Sequence, residues 1–301
     1  MIRRRGVLLL ALAGAFAVSG CGTFDSNDAA ATIGEGQVSR DDYEATLSAL
    51  TAEPDPQVIS DPVTGTVGGD PGRGVLTVMV RGTASEQFLA AAGESITDAD
   101  REAVLEGVPE DDPVFALPDD VVNLLVDLQA GAAARARVPA PQAAELERLY
   151  AGSPASLGAV CARHIVVASE SEAQDVLAEL DGGADFAELA AERSTDPSAA
   201  DTGGVLGSDC VALAALAQAG PDFLTAVEAS AVGEPTDPVE TTLGWHVVVR
   251  RPFDEVAEPL EALFAEQAGE LMFAGYLASA DVQVDPRYGR WDPLTSTVVA
   301  L

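Results

Sequence analysis

The two histidines of this chain each lie inside an apolar, β-branched run, and the sequence contains no others. His164 lies in the run 161–167 and His246 in the run 241–249. Short apolar runs of this kind predict buried strands. Between them the sequence predicts a helical stretch, a glycine-rich turn at 203–207 and a second helical stretch. The fold therefore has to place two titratable rings in buried strands.

The order of these elements resembles a parvulin-type peptidyl-prolyl isomerase domain. A Gly-aromatic-His sequence opens the last strand of that family, as it does at His246, and Phe223 is followed at the family's spacing by Gly233-Glu234-Pro235. The resemblance implies four antiparallel strands with helices packed around them over residues 156–252. It also implies a set of site residues, with His164, Asp196, Thr241 and His246 at catalytic positions and Leu206 and Phe223 as walls of the proline pocket.

Prolyl isomerisation needs little reactive chemistry from the protein. Rotation breaks amide resonance, which sets a barrier of roughly 18–20 kcal/mol. An enzyme can lower it by holding the proline ring in an apolar pocket, removing water from the amide and supplying polar groups that suit the twisted state. We therefore expect no cofactor and no metal.

Each of these residues also has a purely structural interpretation. A histidine in an apolar strand can be a satisfied core residue, and Asp196 before Pro197 can simply start a turn. Thr241 can cap the edge of a strand. Phe223 is compatible with a core whether or not it touches substrate.

Two departures from the family pattern leave the activity open. The segment 208–220 is longer than the usual loop and rich in alanine, so the third wall of the pocket is undefined. Glu228 stands where the family commonly has an apolar or aromatic residue. The alternative function is a non-enzymatic chaperone, whose parvulin scaffold holds unfolded exported clients without isomerising them.

The N-terminus has the pattern of an export signal. Three arginines at 3–5 precede the apolar stretch 6–18, which is too short for an ordinary membrane-spanning helix. The sequence 18–21 resembles the lipobox of bacterial lipoproteins and makes Cys21 the expected lipidation site. We expect a signal peptide at 1–20, a tether at 21–30 and a lipid anchor on the extracytoplasmic side of the cell membrane. The alternative is an ordinary secretory signal with an incidental cysteine.

Cys161 and Cys210 are the other two cysteines, and they would lie in a compartment that permits disulfides. Both fall at elements that are neighbours in the parvulin fold, so the resemblance implies a disulfide between them. The alternative is a pair of unpaired buried thiols. A catalytic thiol is disfavoured because neither cysteine has a base beside it in a recognisable motif.

The region before the parvulin-like segment is mainly helical in pattern. A strand, a glycine turn and a capped helix over 31–50 resemble the opening of a SurA-type chaperone domain. Residues 53–74 are rich in Pro, Gly and Asp and predict a long loop, partly disordered. Helices are predicted at 84–93, at 97–106 after a Thr97 cap, at 118–134 and at 141–150.

After residue 251 the pattern is helical again, with an apolar stripe formed by Val256, Leu260, Leu263, Phe264, Leu271, Phe273 and Leu277. A free helix would expose this stripe to water, so we expect the segment 253–301 to pack on the N-terminal helices. The tail at 284–291 is also similar to SurA-like proteins. The predicted fold class is α+β, in which a helical SurA-like domain, formed by 31–155 and 253–301, carries the inserted domain 156–252.

Charge restricts the partners. The 16 basic residues are all arginine, and with 49 acidic residues the formal charge is −33. Nucleic acid is excluded as a partner because phosphate binding needs basic clusters. A solute-binding lipoprotein would need two larger α/β lobes, which the helical pattern does not supply. The expected partners are unfolded or partly folded exported proteins with Xaa-Pro bonds, and the membrane through the lipid anchor.

Overall fold

The computed structural model describes residues 28–52, 69–216 and 219–301. The expected signal peptide, the lipidation site Cys21 and residues 53–68 of the expected loop lie outside the described residues. Within the described ranges, no helix combines the length and the apolar composition that crossing a membrane requires.

The helices and strands are numbered along the chain. The helices are α1 Arg40–Ala52, α2 Gly69–Ala92, α3 Asp98–Glu106, α4 Asp119–Arg135, α5 Ala143–Tyr150, α6 Pro154–Leu157, α7 Glu170–Asp181, α8 Phe186–Arg193, α9 Ala199–Thr202, α10 Leu213–Leu216, α11 Pro221–Ala229 and α12 Phe253–Ser279, with a 3₁₀ turn at Pro113–Ala116. The strands are β1 Ala29–Ile33, β2 Gly36–Ser39, β3 Ala159–Val160, β4 Ala162–Val167, β5 Val211–Ala212, β6 Val239–Thr241, β7 Gly244–Arg250, β8 Val282–Val284, β9 Arg290–Asp292 and β10 Thr297–Val299.

One core lies in the helical body, which comprises α1 to α4, the strands β1, β2 and β8 to β10, and the C-terminal half of α12. Its sheet is antiparallel with the order β2-β1-β8. The β1–β2 turn contains Gly34 at a φ of 51°, a conformation that glycine adopts without a Cβ penalty. Ile33, Leu76, Val80 and Leu277 are fully buried between the sheet and the helices.

Local chemistry explains where two helices of this body begin. At the start of α1, the Ser39 hydroxyl accepts a hydrogen bond from the Asp42 backbone N–H at 3.0 Å. Before α3, Thr97 and Asp100 form a reciprocal capping box. Both starts agree with the sequence prediction.

Two predicted boundaries are wrong. The sequence predicts a tether through residue 30, but Ala29 and Ala30 lie in β1 and are completely buried. It also predicts a loop through residue 74, but α2 already begins at Gly69. Pro71 fits there because the N–H that proline lacks has no intrahelical partner in the first turn. Packing of the later residues of α2 in the core then overrides the glycine-rich composition of its start.

The long helix α12 joins the helical body to a second core. Its first half buries Val256, Leu260 and Phe264 against α5, α6 and the Cys161–Cys210 disulfide. The backbone is non-helical at Gln267, which kinks the helix. Beyond the kink, Phe273 belongs to the core of the helical body. The C-terminal helix is therefore packed along most of its length rather than free.

The parvulin-like lobe contains an antiparallel sheet with the order β4-β7-β6. In its register, His164 pairs with Val248 and Val166 pairs with His246. The two histidines are therefore diagonal neighbours on one face, within reach of each other. The opposite face carries Ile165 and packs against α7 and α8.

The α+β class is confirmed, and the described strands of the lobe form two small sheets. Besides β4-β7-β6 there is a two-stranded sheet of β3 and β5. The glycine-rich turn reaches β4 only through one bridge, between Arg163 and Val205. Gly203 and Gly204 have positive φ on one side of this bridge and Gly207 on the other, which prevents a longer strand.

Candidate active site

Four elements bring the predicted polar residues together on one face of the sheet. His164 lies in the middle of β4, His246 near the start of β7 and Thr241 at the end of β6. Asp196 lies in the loop between α8 and α9, which is tied to β4 by a 2.7 Å hydrogen bond from the Thr195 N–H to the Val166 carbonyl. The sequence thus folds so that residues 164, 196, 241 and 246 meet.

Two glycines allow this close approach. Gly244 opens β7 at a φ of 129°, and a Cβ there would overlap the carbonyl oxygen of Val167. Gly204 has a φ of 77° and lies against the His164 backbone, whose N–H donates to the Gly204 carbonyl at 2.7 Å. Neither position can take a side chain without moving a strand.

The four polar side chains form one continuous hydrogen-bonded chain. Asp196 Oδ2 lies 2.9 Å from His164 Nε2, and His164 Nδ1 lies 3.4 Å from His246 Nδ1. At the far end, His246 Nε2 lies 2.8 Å from Thr241 Oγ1. We call this set, from Asp196 to Thr241, the polar chain.

Burial favours neutral histidines. His164 is 9% exposed and His246 is 3% exposed. Burial lowers the pKa of His164, although the Asp196 carboxylate opposes that effect. Burial and the neighbouring His164 lower the pKa of His246 to about 4. Both rings are therefore uncharged near neutral pH.

Asp196 is held in its ionised form. Its Oδ1 accepts hydrogen bonds from the Ser198 N–H at 2.9 Å and from the Ser198 hydroxyl at 2.8 Å. The Ser198 N–H is the largest of the contacts that lower the pKa of the Asp196 carboxyl, and the Ser198 hydroxyl and His164 add to it. The side chain is about a quarter exposed, so one end of the polar chain meets solvent.

One arrangement of protons satisfies the whole polar chain. An ionised Asp196 only accepts, so His164 Nε2 carries the proton and its Nδ1 becomes an acceptor. His246 Nδ1 then donates to His164, and His246 Nε2 accepts from the Thr241 hydroxyl. That hydroxyl oxygen in turn accepts the Leu243 N–H at 3.0 Å. The backbone of the β6–β7 hairpin thus sets the direction of the hydrogen bonds at the Thr241 end, and the Asp196 carboxylate sets it at the other end.

Apolar residues border the polar chain. The Phe223 ring meets the His246 ring edge-on at a centroid distance of 5.0 Å and the His164 ring at 6.4 Å. Leu206 belongs to the same cluster and is fixed by its N–H, which donates to the Ala162 carbonyl at 2.9 Å. Leu206 is 8% exposed and Phe223 is 2% exposed. Leu206 and Phe223, which the sequence predicts as walls of a proline pocket, are therefore beside the polar chain and largely buried.

Residues of the segment that departs from the family pattern join the same apolar cluster. Leu213 of α10 is buried in the cluster that contains Phe223, and Leu216 packs against that cluster. Cys161 and Cys210 form a disulfide at the base of this segment, and Asp209 accepts from Arg251 at 2.8 Å. We call residues 208–216 the alanine-rich segment.

Glu228 lies away from the polar chain. Together with Leu224 and Leu213 it lines a cavity of about 310 Å³ between α11, α12 and the β9–β10 turn. Burial and the nearby Asp292 carboxylate raise its pKa. Its departure from the family pattern therefore affects the contact between the lobe and α12 rather than the polar chain.

Sequence reasoning missed Ser198 and Leu213. The Asp-Pro-Ser order at 196–198 is a turn signal that could have placed the Ser198 hydroxyl on the carboxylate. The alanine-rich segment around Leu213 carries no comparable signal, because its position depends on the disulfide and on β3. Within the described ranges, no group of three or more His, Cys, Asp or Glu side chains could hold a metal ion.

The sheet, the paired histidines and the apolar walls define a parvulin-type domain, and residues 166–251 match the family of PPIC-type PPIase domains, or rotamases. The chain is similar to PrsA foldases: it is 36% identical over 123 residues to the foldase protein PrsA of Caldanaerobacter subterraneus subsp. tengcongensis, which covers 39% of this chain and 39% of that protein. It is also 44% identical over 85 residues to a parvulin-like PPIase of Rickettsia bellii, covering 28% and 29% of the two chains. The predicted resemblance to a foldase with a parvulin-type domain is thereby confirmed.

The similarity to these curated relatives covers only part of each protein. The chain spans about two fifths or less of the length of these curated relatives. A crystal structure of PrsA from Bacillus subtilis covers 83% of this chain and 91% of that chain, at 22% identity and a TM-score of 0.31. That likeness supports no conclusion about function. The roles of the individual site residues stay predictions.

Proposed function

We propose that this chain is a membrane-anchored extracytoplasmic foldase that catalyses cis/trans isomerisation of Xaa-Pro bonds in exported proteins. One observation carries the proposal. The polar chain and the Phe223 ring lie side by side on one face of the sheet, with a 5.0 Å centroid distance between Phe223 and His246. An apolar wall next to a set of fixed polar groups is what this reaction requires.

Electrostatics gives Asp196 a direct role in this proposal. Resonance in a planar amide places negative charge on the carbonyl oxygen, and twisting returns electron density to the nitrogen. A carboxylate beside that oxygen repels the planar state more than the twisted state, so it lowers the barrier. The resemblance to parvulins supports a position for Asp196 near the substrate carbonyl, and the exposed quarter of its side chain leaves it accessible to solvent.

The other residues hold this arrangement. Phe223 and Leu206 would take the proline ring out of water, which strengthens the interaction between the carboxylate and the amide. The neutral His164 holds Asp196 Oδ2 and is held in turn by His246 and Thr241. No step needs a proton to leave the polar chain.

A peptide assay tests this function. The form that begins after residue 21 should accelerate isomerisation in a panel of Xaa-Pro peptides. Asp196→Asn should slow it by tenfold or more, since a loss of about 1.4 kcal/mol in transition-state stabilisation slows a reaction tenfold. Thr225→Ala is a matched control, because its exposed hydroxyl bonds only the Pro221 carbonyl of its own helix. A folded wild-type protein without any acceleration would contradict the proposal.

The burial of Leu206 and Phe223 favours a second candidate function, that of a non-enzymatic chaperone. A proline ring can reach these walls only if neighbouring residues move. If those residues stay in place, the lobe has no open proline pocket, and clients would bind elsewhere on the protein. The discriminating result is suppression of client aggregation by wild-type protein and by Asp196→Asn alike, with no isomerisation by either.

The lipid anchor is part of the same proposal and rests on the sequence 18–21. Cys21→Ser should release the protein from membranes or stall its processing. A substituted protein that loses its signal peptide and still remains with the membrane would contradict the anchor.

A further inference from the structure

We propose that Ser198 is a positioning residue of the isomerase site. It fixes the Asp196 carboxylate so that one oxygen is occupied and the other faces His164. It thereby supports the position of the proton on His164 Nε2, from which the direction of the next bond in the polar chain follows. This inference rests on the proposed isomerase function and assigns a role to a residue that would not touch the substrate.

The geometry of a tight turn places Ser198. The Ala199 N–H donates to the Asp196 carbonyl at 3.1 Å, and Pro197 occupies the second position of this four-residue turn. Asp at the first position and Pro at the second are favoured in such turns. The turn brings both donors of Ser198, its N–H and its hydroxyl, to Asp196 Oδ1 at 2.9 and 2.8 Å.

Both Ser198 bonds end on the same carboxylate oxygen. Oδ2 is therefore left for His164 Nε2, at 2.9 Å. Without the hydroxyl, a quarter-exposed carboxylate would be held on that side only by one backbone N–H and could exchange its oxygens with water. The titratable groups that face Asp196 are His164 on β4 and, behind it, His246 on β7.

The orientation of Asp196 has consequences at a distance. The ionised Oδ2 requires the proton on His164 Nε2, which leaves His164 Nδ1 free to accept from His246. If Asp196 rotates or is protonated, this requirement disappears and either nitrogen of His164 can carry the proton. Ser198 therefore governs a proton arrangement that ends at Thr241, on the other side of the site.

The two-histidine composition makes a direct test possible. A nitrogen-15 spectrum of the full chain after residue 21, labelled at histidine, contains signals from only two imidazole rings. In the wild type, His164 should be a single neutral tautomer with the proton on Nε2. In Ser198→Ala, His164 should populate both tautomers, and the acid titration that reports Asp196 should move to higher pH. Ser198→Thr keeps the hydroxyl and should restore both readouts.

Activity provides the second readout. Ser198→Ala should lower kcat by roughly threefold or more with little change in KM, because both donors of Ser198 are used on Asp196 and the residue would act through that carboxylate. The acid limb of the pH profile should move in the same direction as the titration. Ser169→Ala is a matched control: the Ser169 hydroxyl donates to a carboxylate oxygen of Glu172 at 3.0 Å at the start of α7, and neither residue belongs to the polar chain. It should change neither the His164 signals nor the pH profile.

The outcomes separate this proposal from the proposed function. Unchanged His164 tautomer and titration in a folded Ser198→Ala or Ser198→Gly protein would overturn the positioning role, whatever the activity. If Ser198→Ala alters the His164 tautomers but the wild type shows no isomerisation, the positioning role is upheld and the proposed function is refuted. Loss of activity in Ser198→Ala that Ser198→Thr does not restore would also overturn it.

Discussion

Mild acid should destabilise the parvulin-like lobe through His246. This ring is 3% exposed, lies 3.4 Å from His164 and meets the edge of Phe223. Its pKa is lowered to about 4, first by burial and then by His164. In an unfolded chain the same ring would titrate near the ordinary histidine pKa of 6.5. Protonation of the folded lobe therefore costs free energy that protonation of the unfolded chain does not.

The sign and the size of the effect follow from proton linkage. Between pH 6.5 and about 4 the unfolded state binds more protons at this site, so the free energy of unfolding falls as the pH falls. The contribution is present in full above pH 6.5 and is lost towards pH 4. A pKa difference of about 2.5 corresponds to about 3 kcal/mol in total, and about 2 kcal/mol of it is lost between pH 7 and pH 5.

Two measurements check this. Histidine-selective spectra should give a His246 midpoint close to 4 and a His164 midpoint below 6.5. Urea unfolding should give the free energy of unfolding of the wild type minus that of His246→Gln at each pH. This difference should be about 2 kcal/mol lower at pH 5 than at pH 7. The variant is needed because other groups also make stability depend on pH. The pKa of Asp196, for example, is lowered in the folded protein, so its contribution to stability is lost in stronger acid. Midpoints of both rings at or above 6.5 would refute the reasoning about burial.

Three further experiments test the packing of the lobe and of the helical body. Phe223→Ala should lower the free energy of unfolding of the lobe by about 3 kcal/mol or more, because the ring is fully buried. It should also reduce kcat/KM at least as much as a substitution in a distant part of the core that costs the same stability. Replacing both Cys161 and Cys210 by alanine opens a loop with a sequence separation of 49 and should cost about 4 kcal/mol in urea unfolding; a reductant should then have no further effect on the variant. Gly269→Ala should destabilise by more than about 2 kcal/mol, because its Cβ would overlap the backbone at the end of α4, whereas Gly74→Ala in the open part of α2 should be neutral or stabilising.

The sequence was sufficient for the parts of the fold that local chemistry determines. The β-branched runs around His164 and His246 identify adjacent strands because buried strands need such residues on both faces. Thr97 and Ser39 mark helix starts because a hydroxyl satisfies an otherwise unpaired N–H. The apolar stripe from Val256 to Leu277 identifies α12 because its period matches one helical face.

Packing between distant segments determined the parts that the sequence did not reveal. The first turn of α2 looks like a loop in composition, and the helix forms because Leu76 and Val80 bury themselves further along. The strand β8 is too short to be recognised alone and forms because β1 offers it an edge, with Val284 opposite Ala31. Secondary structure of this kind follows from tertiary contacts and not from propensity.

The candidate site divides in the same way. Asp196, His164, His246 and Thr241 are found from sequence because the family motif fixes their spacing, and the structure then supplies their order in the polar chain. The path of the alanine-rich segment could not be derived, since it depends on a disulfide to Cys161, between β3 and β4, and on an ion pair with Arg251.

The structure therefore distinguishes two properties of the site, the continuity of the polar chain and the access of a substrate to the apolar residues beside it. The polar chain is continuous from Asp196 to Thr241, and each of its bonds has a partner that fixes its direction. The apolar residues beside it are buried in a cluster that also includes Leu213, which belongs to a part of the chain with its own covalent and ionic ties. The isomerase and the chaperone functions thus differ in the access that a proline ring has to Phe223, and not in the polar groups available to act on it. Tautomers and pKa values of the histidines report on the polar chain, whereas the rate on Xaa-Pro peptides reports on the polar chain and on access together, so both kinds of measurement are needed to assign the function.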